Sequence, residues 1–185
     1  MEKEILFTTS KWEILKSISI RPQSPLGIAK ILNTSVANVS QQLRLLEAAG
    51  LVIKKRVANT GVGQPRALFS LKQNIAFISL ASQGLAKKEL LNISKLQVVI
   101  SRIWLLNIAE SDILSKFFYC NESIFNQVHN LYFVSVKGKN VSFETTNSTL
   151  ASNEFSINFD GNKYLFKINQ VEKISKNAEL IYNEY

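Results

Sequence analysis

One cysteine and one histidine in 185 residues leave this chain little metal or redox chemistry. A lone Cys120 excludes an internal disulfide. Cys120 and His129 supply two soft ligands, where a zinc site wants four, or three and a water. As a nucleophile pair they lack a third group to orient them. Beside Phe117, Phe118 and Tyr119, the cysteine reads as a small packed residue. Gly61-Val62-Gly63 is too short to cradle a phosphate, and no strand and helix frame it. No paired carboxylates stand out. The expectation is a protein that is no enzyme and holds no metal or cofactor. Three prolines and seven glycines, with 46% hydrophobic residues, exclude long disorder. No apolar run reaches the roughly 18 residues that span a bilayer. The densest, residues 96–106, is broken by Gln97, Ser101 and Arg102. The opening Met1-Glu2-Lys3-Glu4-Ile5 lacks the basic region and apolar core of a signal peptide, so a cytoplasmic, membrane-free location is expected.

Acidic residues are also scarce, and unevenly so. Residues 1–90 carry five Asp/Glu against thirteen Lys/Arg, whereas residues 91–185 carry nine of each. The whole net charge of +8 therefore lies in the first half. A cation set against a phosphate releases condensed counterions, so a one-sided basic balance is the footprint of a polyanionic partner. A basic surface also keeps a protein soluble, and charge alone does not separate the two.

What is present supplies a fold. Ser10-Lys11-Trp12-Glu13 has the form of a capping box and predicts a helix over 11–20 that buries Trp12, Leu15 and Ile18. Pro22 stops it. Ser24-Pro25 pairs an N-cap with a first-turn proline and starts a second helix over 25–32, with Leu26, Ala29 and Leu32 inward. After the turn Asn33-Thr34-Ser35, a third helix over 36–49 sets Val39, Leu43 and Leu46 on one face and ends at Gly50. Strands over 51–57 and 66–71 then flank a loop holding Gly61, Gly63 and Pro65, with Ala67, Phe69 and Leu71 alternating inward. Residues 75–80 read as one further strand.

The second half, residues 91–185, reads as a separate domain. A helix over 96–108 is apolar on nearly every side, which predicts burial on more than one face. Helical stretches follow over 113–118 and 124–128. Two hairpins are predicted, one turning at Lys137-Gly138-Lys139-Asn140 and one at Asp160-Gly161-Asn162-Lys163. A last helix is expected over 171–183. The fold class is α+β: a winged helix-turn-helix over 1–90, then a dimerisation helix and a small C-terminal α+β domain with β-hairpins.

Two helices joined by a short turn and followed by a basic hairpin suit double-stranded DNA. The third helix fits a major groove, where base edges are distinguishable. Its outer face holds Thr34, Ser35, Asn38, Gln41 and Gln42, and amides can bond adenine in bidentate fashion. Arg44 lies on the flank, in reach of the backbone. Lys54, Lys55, Arg56 and Arg66 on the wing would meet phosphates or a minor groove. The bland alternative is a solvated helix and a charged hairpin edge that guards against aggregation.

The stretch Val39-Ser40-Gln41-Gln42-Leu43-Arg44-Leu45-Leu46-Glu47-Ala48-Ala49-Gly50-Leu51-Val52 resembles the recognition helix of ArsR-type regulators. Gly63-Gln64-Pro65-Arg66-Ala67-Leu68-Phe69-Ser70-Leu71 is similar to their wing return, especially in archaeal relatives. The resemblance covers about residues 8–75 and implies a homodimeric transcription regulator on a palindromic operator. It also carries a departure. The metal-sensing members use cysteines in the second helix or His/Asp/Glu sets in the dimer helix. Here residues 28–33 have no cysteine, and residues 96–108 have no His, Asp, Glu or Cys.

The expected dimer seam is Leu96, Val99, Ile103 and Leu106, at three-to-four spacing. In the neutral second half, Phe133, Phe143, Phe155, Phe159, Tyr164 and Phe166 either line a pocket for a small-molecule effector or form a hairpin core; a protein effector there is the further option. The alternative function is a winged-helix docking or architectural module of transcription or chromatin. The missing ligand sets make one prediction. One equivalent of zinc, cadmium or arsenite leaves the protein on its DNA in a gel shift. Release that Cys120→Ser abolishes would reverse this reading.

Overall fold

The computed structural model describes residues 8–57 and 66–184, with Arg66 described in its backbone alone. The chain divides into two compact units between Ile93 and Ser94.

The first unit begins with α1, Thr9–Ile20. Thr8 is its N-cap, with no side-chain cap bond, so the Ser10–Glu13 capping box does not form. The buried face carries Ile14, Leu15 and Ile18. Trp12, expected inward, is one position off this stripe and 52% exposed. Helix α2, Pro25–Ile31, follows, and the Ser24 hydroxyl accepts from the Gly27 amide at 3.1 Å. It buries Ile28 and Ala29, while Leu26, also expected inward, is exposed and Leu32 is half-buried. Helix α3, Val36–Ala48, is capped by Ser35, whose hydroxyl accepts from the Asn38 amide at 3.1 Å. Val39, Leu43 and Leu46 are its buried face, as their spacing requires.

Gly50 ends α3 with φ +73°, the left-handed region that suits glycine. Its N–H donates to the Glu47 carbonyl at 2.9 Å, and the Leu51 N–H donates to the Leu46 carbonyl at 3.0 Å. This is a Schellman turn, with Leu46 and Leu51 both buried at its base. The chain leaves it directly into β1, Val52–Val57, paired antiparallel with β2, Arg66–Leu71. Gln23 adds a third rung by exchanging backbone bonds of 3.0 and 2.8 Å with Phe69. The loop over 58–65, with Gly61, Gly63 and Pro65, lies outside the described residues.

In place of the one strand expected over 75–80, there are two. β3, Ile75–Ser82, and β4, Leu85–Asn92, form a second antiparallel hairpin. Lys87-Lys88-Glu89 interrupts the apolar alternation of β4, which hides it in the sequence.

The second unit opens with α4, Lys95–Leu105. Ser94 and Gln97 form a reciprocal capping box, at 3.2 and 2.8 Å. Helix α5, Ser111–Cys120, and a 3-10 turn, Glu122–Asn126, follow. Five strands then build one sheet, β5 (Asn130–Lys137), β6 (Asn140–Thr145), β7 (Glu154–Phe159), β8 (Asn162–Gln170) and β9 (Glu179–Asn183), in the order β7-β8-β6-β5-β9. β6 and β8 run parallel, and the other neighbours run antiparallel. Both expected hairpins form. The second turns on Asp160 and Gly161, each at positive φ, the requirement of a tight two-residue hairpin.

Two expectations fail here. The helix expected over 171–183 ends instead as β9, antiparallel to β5, with Ile181 and Tyr182 buried. A free edge on β5 and a place for those side chains in the core outweigh local helix propensity. The helix expected over 96–108 is buried on one face only. Leu96, Val99, Ile100 and Ile103 enter the unit's core, while Trp104 and Leu105 are 65% and 85% exposed. The face expected as a dimer seam is thus the core face: Val99 and Ile103 have no exposed surface, and Leu106 packs half-buried against the same core. That core is aromatic. The Phe117 ring stacks on Phe166 at 4.0 Å, and Phe143 and Phe118 surround it.

A stability prediction follows from Ile103. Ile103→Ala costs about 2–5 kcal/mol of folding stability, read as a lowered urea midpoint by circular dichroism, and the loss is the same at every protein concentration. A loss that grows on dilution would mark this residue as a subunit seam.

Candidate nucleic-acid interface

The polar side of α3 is organised before any partner arrives. The Asn38 side-chain amide donates to the Thr34 hydroxyl at 3.2 Å, and the Gln42 amide donates to the Asn38 side-chain oxygen at 3.4 Å. Residues four apart stack along a helix, so Thr34, Asn38 and Gln42 form one line down its flank. Asn38 and Gln42 are half-buried in this line, and the Gln42 side-chain oxygen is buried without a partner among the described residues.

A second line, Ala37, Gln41, Arg44 and Ala48, lies opposite the buried Val39, Leu43 and Leu46, and all four are exposed. Gln41 and Arg44 therefore occupy the centre of the outer face. Ala37 and Ala48 keep its ends low, which lets the helix backbone approach a groove. The expected ranking changes in consequence. Arg44, expected on the flank, sits centrally, while Asn38 and Gln42 take the flank, their amides held in the line that starts at Thr34. Thr34 and Ser35 are exposed at the start of the helix, where unpaired N–H groups favour a phosphate.

Lys54, Lys55 and Arg56 on β1 are all exposed, on two faces of the ribbon. Strand alternation puts Lys54 and Arg56 on the face of buried Val52, and Lys55 on the other with Ile53 and Val57. The Lys54 ammonium lies 6.0 Å from the Phe69 ring centroid, at the outer reach of a cation–π contact. A narrow ribbon with cations on both faces can meet phosphates on either side of a groove. In its backbone Arg66 pairs with Val57 at the wing's far end. Other exposed cations of this unit include Lys30 in the last turn of α2 and Lys72 just after β2. Both are isolated in sequence, so charge clustering does not reveal them.

Elsewhere, Cys120 is exposed at the end of α5 rather than packed. The helix turns Phe117 and Phe118 inward, so Tyr119 and Cys120 face out. His129 pairs with Glu184 at 3.2 Å instead. Among the described residues no three His, Cys, Asp or Glu are grouped to hold a metal, and no helix is long and apolar enough to cross a membrane. Phe143 and Phe166 are core residues, with Phe133, Phe155 and Tyr164 packed against them. Beside them the sheet bears an open cleft of about 510 Å³, walled in part by Ser135, Ser142, Leu165 and the Glu154–Lys167 ion pair at 3.0 Å.

A three-helix core with a polar third helix and a basic hairpin beside it defines the first unit as a winged helix-turn-helix, the DNA-binding class of transcription regulator. Residues 9–54 match the family described as bacterial regulatory protein, arsR family. The helix-turn-helix of this chain is accordingly of the arsR type, a regulatory family rather than an enzymatic one. No curated protein matches the chain.

The two lines on α3 predict unequal effects. Gln41→Ala costs about 1–3 kcal/mol on the preferred duplex and little on random DNA, whereas Gln42→Ala costs less on the preferred duplex. Fluorescence anisotropy on both duplexes measures this. Equal losses on the two DNAs from Gln41→Ala would reduce α3 to a positioning element.

Proposed function

We propose that this chain is a sequence-specific, homodimeric DNA-binding transcription regulator of the cytoplasm. The recognition helix α3 enters the major groove, with Gln41 and Arg44 nearest the base edges and Asn38 and Gln42 beside them. Thr34 and Ser35 meet a phosphate at the helix start. The wing, through Lys54, Lys55, Arg56 and Arg66, meets the backbone. The C-terminal unit senses an effector, and its open sheet cleft is the proposed place for a small molecule. One observation carries the DNA reading: an exposed amide-and-arginine line on α3 stands with wing cations inside one arsR-type helix-turn-helix.

Selection from a pool of random duplexes, followed by footprinting, tests it. The expected product is an inverted pair of half-sites about 10–10.5 base pairs apart, or a multiple of that spacing. On the selected duplex, log K falls with log salt by roughly 0.9 per phosphate neutralised. Lys55→Ala with Arg56→Ala flattens that slope and weakens all duplexes alike. Uniform retention of every duplex would favour an architectural role, and retention of none would favour protein docking. An unchanged slope in the double variant would remove the wing from the interface.

A further inference from the structure

Among the described residues, the second hairpin of the first unit leaves one face largely exposed. Ile75 and Leu90, on its other face, pack against the winged-helix core. The uncovered face carries Ile78, Leu80, Leu85 and Leu91, which are 45%, 49%, 48% and 38% exposed. Its two charged residues, Lys87 and Glu89, pair at 2.6 Å. An exposed apolar face of this kind on a ribbon already anchored by its other face invites a cover.

The register shows what fits. Ser79 and Lys88 are cross-strand partners at the middle of the ribbon. A two-fold axis through that pair, running across the strands between two stacked ribbons, lays each uncovered face on its own copy. Positions equidistant from the axis then meet. Lys87 of one copy faces Glu89 of the other, Leu80 faces Ile78, and Leu85 faces Leu91. Every charge on the face meets its opposite and every large apolar side chain meets another, a self-complementary match of the kind a two-fold interface demands. We infer that this face of the β3–β4 hairpin is the seam between two copies of the chain, in place of the buried face of α4. The inference rests on the dimeric DNA reading and deepens it. Strands of eight residues make a ribbon about 27 Å long, so its face covers roughly 300 Å² per copy, below the roughly 800 Å² per partner of a standard interface. The free chain is then a weak dimer that two adjacent half-sites strengthen.

Two charge variants of the full chain test this: Lys87→Glu, which makes the face wholly acidic, and Glu89→Lys, which makes it wholly basic. The probe is a duplex with both selected half-sites, compared with one half-site. Wild type fills the pair about 10²-fold more tightly than the single site. Each variant alone loses that gain and keeps its single-site affinity, which also reports that it is folded. An equal mixture of the two variants regains it, because acidic and basic faces pair only between copies. If both variants bind the pair as wild type does, the hairpin is not the seam, and the dimer reading stands. If the mixture regains nothing, the face is covered within its own chain and the inference fails. If wild type shows no gain over one half-site, the inference and the dimer reading fail together, while DNA binding stands. Sedimentation of the variants singly and mixed, without DNA, poses the same question should no duplex be selected.

Discussion

Two hydrogen bonds at Gly50 hold together everything the first unit does. They close α3 on the Glu47 and Leu46 carbonyls and send the chain straight into β1. The turn needs a left-handed residue, and glycine takes that conformation without the steric cost a Cβ brings. With Leu46 and Leu51 buried on either side of it, the rotation of α3 about its axis is set. Val39, Leu43 and Leu46 then face the core, so Gln41 and Arg44 must face outward. The same turn puts the wing beside the helix. A polar helix face and a cationic ribbon become one surface because a single packed corner positions both.

The second unit is organised by a different constraint, aromatic packing under a sheet. Phe117 on α5 lies flat against Phe166 on β8, with Phe143 on β6 alongside. Helix α4 supplies Leu96, Val99, Ile100 and Ile103 to that core. A helix committed to its own sheet in this way has no second apolar face of comparable extent to offer. The outward residues Trp104 and Leu105 are clustered at its C-terminal end. A seam between copies is better sought on a surface whose apolar residues run its length, and the β3–β4 hairpin provides one.

Much of the first unit is legible in the residues themselves. Ser24, Ser35 and Gly50 punctuate it by chemistry that acts within a few residues, and the helices they bound lie within two residues of where the pattern puts them. Asp160-Gly161 marks its turn for the same reason. The departures share another cause. Trp12 and Leu26 are apolar residues at helix starts, where a shift of one position exchanges core for solvent. β9 reads locally as a helix because nothing near it in the chain reports that β5 has an edge to fill. β4 escapes the pattern because Lys87 and Glu89 take neighbouring positions on one face and pair along the strand, where a core strand would place apolar residues.

By itself the sequence determined the helices and wing of the first unit, both hairpin turns of the second, the basic first half, the lack of a metal-ligand set in the usual places and the helix-turn-helix. Each of these depends on residue type and on spacing within a turn or two. Only tertiary structure decided which side of each element faces out. That choice turns Gln41 and Arg44 to the centre of the outer face of α3 and Asn38 and Gln42 to its flank, puts Val99 and Ile103 in the core of the second unit, and leaves Ile78, Leu80, Leu85 and Leu91 exposed. The physical reason is that burial is settled by neighbours distant in the chain, and a periodic pattern records only that some face is buried, not against what.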